Sequence, residues 1–143
     1  MHLINSAAYS FTTSTAILPL RLVVGAAFIL HGWPKIQNPT GWMGNDASMS
    51  AAIQALVAVA EFGGGIALVL GLLTRLASLG IAAVMVGALA TYHVPSGHPF
   101  VGKPGAPSCE LAAVYLACAL QFLLLGGGRF ALDWMIFHRR SQA

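Results

Sequence analysis

The chain has 143 residues, 57% of them hydrophobic and only 8% charged, with a mean hydropathy of +0.78. Soluble domains carry about 25% charged residues, so this composition excludes a water-facing globule and places the chain in a membrane. Seven Lys/Arg against four Asp/Glu leave a formal charge of +3, too sparse a basic surface for a nucleic-acid partner.

Residues 1–15 contain no Lys or Arg. They lack the charged start of a secretory signal and read as a short polar tail. Four apolar segments follow at 16–33, 51–73, 76–92 and 108–125, each close to the roughly 17–25 residues that a helical span needs. Their runs are continuous rather than alternating, so they predict helices and not barrel strands. The first carries Arg21 and is closed by Pro34. The second carries Gln54 and Glu61, the third is clean, and the fourth has Glu110 near its start.

Spans two and three are joined by a tight turn at 73–75, whereas the other two connections are long and rich in Gly, Pro and Asn. Those long loops share one side of the membrane and hold Lys35 and Lys103. The other side holds Arg75, Arg129, Arg139 and Arg140. This bias predicts cytoplasmic termini. After the glycines at 126–128, the segment 128–143 reads as an amphipathic helix in the interface, with Phe130, Trp134 and Phe137 at helical spacing. The predicted organisation is therefore a tail, a bundle over 16–127 and this interfacial segment. The fold class is all-α, a polytopic membrane four-helix bundle with a short C-terminal interfacial helix.

Helical spacing sorts small and polar residues into stripes that face the bundle. These are Arg21, Gly25, Phe28, Gly32 and Lys35 on the first span, and Gln54, Ala58, Glu61 and Gly65 on the second. The third offers Gly80, Val84, Gly87 and Thr91, and the fourth Glu110, Ala113, Ala117 and Gln121. Ionisable groups within spans are costly, about 2.5–3.5 kcal/mol each at the helix centre on insertion scales, and turn inward. Arg21 and Glu61 are the candidates for a buried ion pair. His31, Lys35, His93 and Glu110 fall at similar depth on the loop side and, with Glu61, form a candidate quinone and proton site. A purely structural role for the ion pair, with the rest interfacial, is the competing reading.

No metal site is expected, because no HxxxH, ExxH or CxxC occurs and the loop between His93 and His98 deprives their spacing of meaning on one helix face. A bis-histidine haem between the first and third spans stays open as a minor alternative. Cys109 and Cys118 are about 13 Å apart along one helix, too far to form a disulfide.

The patterns LRLVVGAAFILHGWPK, AVAEFGGGIALVLGLLTRLA and GGGRFALDW occur in this order over about residues 16–136. They resemble the DoxX family of small four-span bacterial membrane proteins. The residues carrying the resemblance are Arg21, His31, Gly32, Lys35, Glu61, Gly64, Gly71, Arg75, Arg129 and Asp133. The run GGG at 126–128 is a departure, since the family often has proline after the first glycine. The resemblance implies membrane redox work, because one relative is the small membrane subunit of a thiosulfate:quinone oxidoreductase. It brings no catalytic residue set.

The expected function is an integral subunit of a respiratory or redox complex in the bacterial inner membrane, contacting quinone and anchoring a partner oxidoreductase. Quinone is the only cofactor expected and none is expected to be covalent. Partners are the bilayer and other redox subunits or further copies of the chain. A non-catalytic scaffold is the alternative, and a small-solute or proton transporter is disfavoured because no inverted repeat is visible.

Overall fold

We describe a computed structural model of the chain over residues 10–44 and 47–139. Its order is α1 (Phe11–Gln37), α2 (Ala51–Leu70), α3 (Thr74–Ala88) continued by a π-helical turn (Leu89–His93), α4 (Glu110–Leu125) and α5 (Leu132–Arg139). No strand occurs among the described residues. Phe11–Gln37, Ala51–Leu70 and Thr74–His93 are long and apolar enough to cross a membrane, and α4 is an apolar helix of 16 residues. Their outer surface is aliphatic, with Val23, Leu30, Leu56, Val59, Leu76, Leu79, Val86 and Leu124 exposed. Leaving such side chains uncovered is unfavourable in water and neutral in lipid. This outer surface is the bilayer contact.

The predicted tail is partly helix. α1 begins at Phe11, where Ser10 caps the first turn by accepting a hydrogen bond from the Thr13 amide at 3.0 Å. The hydroxyl-rich sequence after it tolerates the helix because Ser14 and Thr15 donate back to the carbonyls of Ser10 and Phe11. Residues 1–9 of that tail lie outside the described residues.

α1 and α2 pack along a seam of glycines. A Cβ on Gly32 would fall 2.4 Å from the Phe62 amide nitrogen, and one on Gly65 would fall 2.6 Å from the Ile29 amide nitrogen. The two backbones therefore touch, which only a residue without a side chain permits. Every residue of the α1 and α2 stripes is buried except Lys35, which is half-buried. This half of the inward pattern follows the sequence reading.

The other half follows it only in part, through Val84 packed against the core and Gly80 beside Ala60. α3 buries Thr74, Ser78, Ile81, Ala82 and Met85, and α4 buries Ala112, Ala119 and Phe122. A Cβ on Gly87 would meet nothing within 4 Å, and Glu110, Ala117 and Gln121 are exposed. These two helices close by filling volume with Ile81, Met85, Tyr115 and Phe122. Because lipid accepts either face of an apolar helix, shape decides which face turns inward.

Candidate functional site

The glycine seam decides what meets Glu61. With Gly32 pressed on Phe62, the last turn of α1 lies against the middle of α2, where Glu61 is the eleventh of 20 residues. Lys35 reaches it, and its Nζ donates to Glu61 Oε1 at 2.5 Å. The Glu61 side chain is 4% exposed and that of Lys35 is 23% exposed. Oε2 of Glu61 is buried without a hydrogen-bond partner. A buried carboxylate normally fills its acceptor sites; Oε2 shares this unfilled state with Arg21 Nε and Thr74 Oγ1.

The loop after α1 covers this pair. The Trp42 ring centroid lies 4.7 Å from Lys35 Nζ, close enough for cation–π attraction. Gln54 holds the loop in place. It accepts from Trp42 Nε1 at its backbone carbonyl and from the Met43 amide at Oε1, and its Nε2 donates to the Met49 carbonyl. On the neighbouring surface the Trp33 and Phe62 rings stand 5.7 Å apart. Neither Trp42 nor Gln54 stood out in the sequence as a site residue. A Trp in a Gly- and Asn-rich loop twelve residues before a glutamine on the polar stripe was the only signal.

The expected Arg21–Glu61 pair is not formed. Arg21, 2% exposed, donates from Nη1 to the Gly127 carbonyl at 2.7 Å and from Nη2 to the Phe130 carbonyl at 3.1 Å. It sits beside Gly71, where a Cβ would lie 2.4 Å from Nη1, and Gly71 is ten residues, about 15 Å, along α2 from Glu61. Two carbonyls of the segment after α4 accept the Arg21 hydrogen bonds, and the Asp133 carboxylate lies close enough to interact with its charge. Arg21 thus finds its partners in the segment after α4 and not on α2.

The same end is tied together by Asp133. Its two carboxylate oxygens accept the Leu73 and Thr74 amides at 2.7 and 2.8 Å, capping α3 from a distant part of the chain. Its own amide donates to the Gly71 carbonyl at 2.9 Å. Gly71 terminates α2 in the left-handed conformation, φ 68°, that glycine adopts freely. The Arg129 amide donates to Ser14 Oγ at 3.2 Å, and Arg75 Nη2 donates to the Leu124 carbonyl at 3.3 Å. Gly127 is enclosed, since a Cβ there would meet Ala131 and Thr74 within 2.7 Å. α5 forms as expected, and the Arg129 guanidinium lies 5.8 Å from the Trp134 ring. The Phe137 side chain lies outside the described residues.

The five candidate site residues thus separate. Lys35 and Glu61 are paired. His31 is exposed, and its ring lies 6.3 Å from Phe28 and 6.1 Å from Tyr115, toward α4. His93 meets His98, Nδ1 to Nδ1 at 3.2 Å, so the intervening loop brings together two histidines that the sequence reading set apart. Glu110 is exposed on the first turn of α4. Cys109 and Cys118 are both free.

The model of the DoxX family matches residues 16–94, which include most of α1, all of α2 and α3, the glycine seam and the Lys35–Glu61 pair. The chain belongs to the DoxX family. An uncharacterised protein of Haemophilus influenzae is 35% identical over 121 residues, covering 84% of this chain and 90% of that protein. A Bacillus subtilis protein described as "Putative oxidoreductase CatD" is 27% identical over 135 residues, covering 93% of this chain and 94% of that one. No solved structure matches the chain.

Proposed function

We propose that this DoxX-family protein is an integral subunit of a redox complex, contacting quinone or quinol at the Lys35–Glu61 pair and anchoring a partner oxidoreductase. The observation that carries this reading is the empty Oε2 of Glu61, buried among membrane helices beside a cation. A quinol hydroxyl needs an acceptor there and a quinone carbonyl needs a donor. Glu61 supplies the first through Oε2, while Lys35 donates to Oε1. His31, one turn before Lys35 on α1, is a further donor on that helix. Electrons leave through a cofactor on the partner. The name of the Bacillus subtilis relative agrees with redox work. The complex lies in the inner membrane with cytoplasmic termini, so a cysteine placed at Gly44 reacts with an impermeant reagent from outside the cell.

A scaffold role is the second reading, favoured by the way the residues around Arg21 and Asp133 serve only to join helices. Purification in mild detergent, followed by lipid extraction and mass spectrometry, separates the two. Retained quinone that is lost in Glu61→Gln while the protein stays folded supports the quinone site. A protein that carries none, in a complex whose quinone-linked turnover is unchanged by Glu61→Gln, leaves the scaffold.

A further inference from the structure

His93 ends the π-helical turn that follows α3, and the chain returns so that the His98 amide donates to the His93 carbonyl at 3.1 Å. The turn is closed further by the Val94 amide on the Leu89 carbonyl and the Ser96 amide on the Tyr92 carbonyl. Tyr92 stands edge-on to both imidazoles, with ring centroids 5.1 Å away in each case. The two imidazoles are themselves 5.3 Å apart and inclined at 70°. Backbone bonds and a third ring therefore hold two nitrogen donors face to face, and π-helical turns of this kind are frequent at functional sites.

We infer that His93 and His98 form a two-ligand site for a first-row divalent transition-metal ion through their Nδ1 atoms. The spacing carries the argument. Nitrogen ligands sit about 2.0–2.1 Å from such an ion, and two of them 3.2 Å apart subtend an angle of about 100° at it, between the square and tetrahedral values. Neutral imidazole is the donor that zinc, copper and nickel share. No third His, Cys, Asp or Glu joins the pair among the described residues. The site is thus open, with water or a partner's side chain filling its remaining positions, and not a closed structural centre. Both histidines are half-buried beside exposed Tyr92, so an ion reaches them from solvent. This site is independent of the Lys35–Glu61 pair and of any quinone.

Copper(II) alone is the probe, titrated into the full-length protein in detergent after chelator treatment. His2 and His138 are replaced by alanine to remove other imidazoles, and His31 is kept as an internal control. One ion should bind per chain, and its electron paramagnetic resonance spectrum should show coupling to two imidazole nitrogens. Even partners outside the ligand set are worth about 10–100-fold in metal affinity, so His93→Ala and His98→Ala should each weaken binding at least tenfold, whereas His31→Ala should not. The nitrogen count is read on chain with both residues intact, so misfolding of a variant cannot imitate the result. No saturable binding, a single coordinated nitrogen, or affinity unchanged in His93→Ala and His98→Ala overturns the site and leaves the pair a hydrogen bond only.

Discussion

The bundle handles buried charge in two ways. Around Arg21 and Asp133 the charged groups bond to backbone, two carbonyls for the guanidinium and two amides for the carboxylate, while Arg21 Nε and Thr74 Oγ1 are buried without a partner. At Lys35 and Glu61 charge meets charge, and one carboxylate oxygen is left over. Charge spent on backbone fixes where helices begin and end, and substitution there damages architecture. Charge paired with charge, with an acceptor to spare, can take a proton or a ligand without unmaking a helix. The first region reads as structure and the second as the place where chemistry is available.

Removing Arg21 should give the largest effect. Arg21→Ala orphans two carbonyls and leaves a void enclosed by Gly71, Gly127 and Ala131. Hydrogen bonds to charged groups contribute about 1.5–3 kcal/mol each, so folded yield and thermal stability in detergent should collapse. A protein that stays monodisperse with an unchanged melting temperature would remove the architectural role assigned to that end.

The ion pair comes next. Deleting one partner of a buried pair costs about 3–5 kcal/mol, whereas replacing both by neutral groups is often tolerated. Lys35→Met should therefore destabilise, and adding Glu61→Gln should restore much of the loss. In contrast, Arg21→Gln and Glu61→Gln should add within about 0.5 kcal/mol, because they share no partner. Coupling between Arg21 and Glu61 as strong as that between Lys35 and Glu61 would erase the distinction between the two regions. The seam offers a check. Gly32→Ala puts a carbon 2.4 Å from a backbone nitrogen and should cost about 1–3 kcal/mol by forcing α1 from α2.

Asp133→Asn should be milder. Its amide can still accept one of the two α3 amides, and loss of a cap costs about 0.5–2 kcal/mol. The melting temperature should fall by less than in Arg21→Ala, with quinone content and copper binding unchanged.

The sequence showed the helical class, the number of apolar segments and the inward face of α1 and α2, because glycine beside buried charge has few stable alternatives in lipid. It did not show the inward faces of α3 and α4. There, Gly87 and Ala117 mimic a packing stripe while Ile81, Met85 and Phe122 make the contacts. Nor did it show the partners of the charges. Arg21 found carbonyls beyond α4, Lys35 was drawn inward by a backbone contact at Gly32, and His98 came back to His93 through a loop. The first two depend on where a distant segment lies and the third on how a short loop turns, and helical periodicity encodes neither.

The smallest effect is expected at Glu110, and it sharpens the comparison most. By depth along the sequence this residue belongs with Lys35 and His31, but it is exposed on the first turn of α4. A carboxylate there gains only the favourable field of a helix N-terminus, about 0.3–1 kcal/mol. Glu110→Gln should therefore shift thermal stability by no more than this, and it should leave quinone retention at the level of the unmodified protein. Glu61→Gln, measured alongside, should keep a folded protein and lose the quinone. A loss of quinone in Glu110→Gln equal to that in Glu61→Gln would move the headgroup site toward the α4 end and away from the Lys35–Glu61 pair. If neither substitution changes quinone content, the empty Oε2 of Glu61 is a feature of packing alone, and redox function rests with the partner.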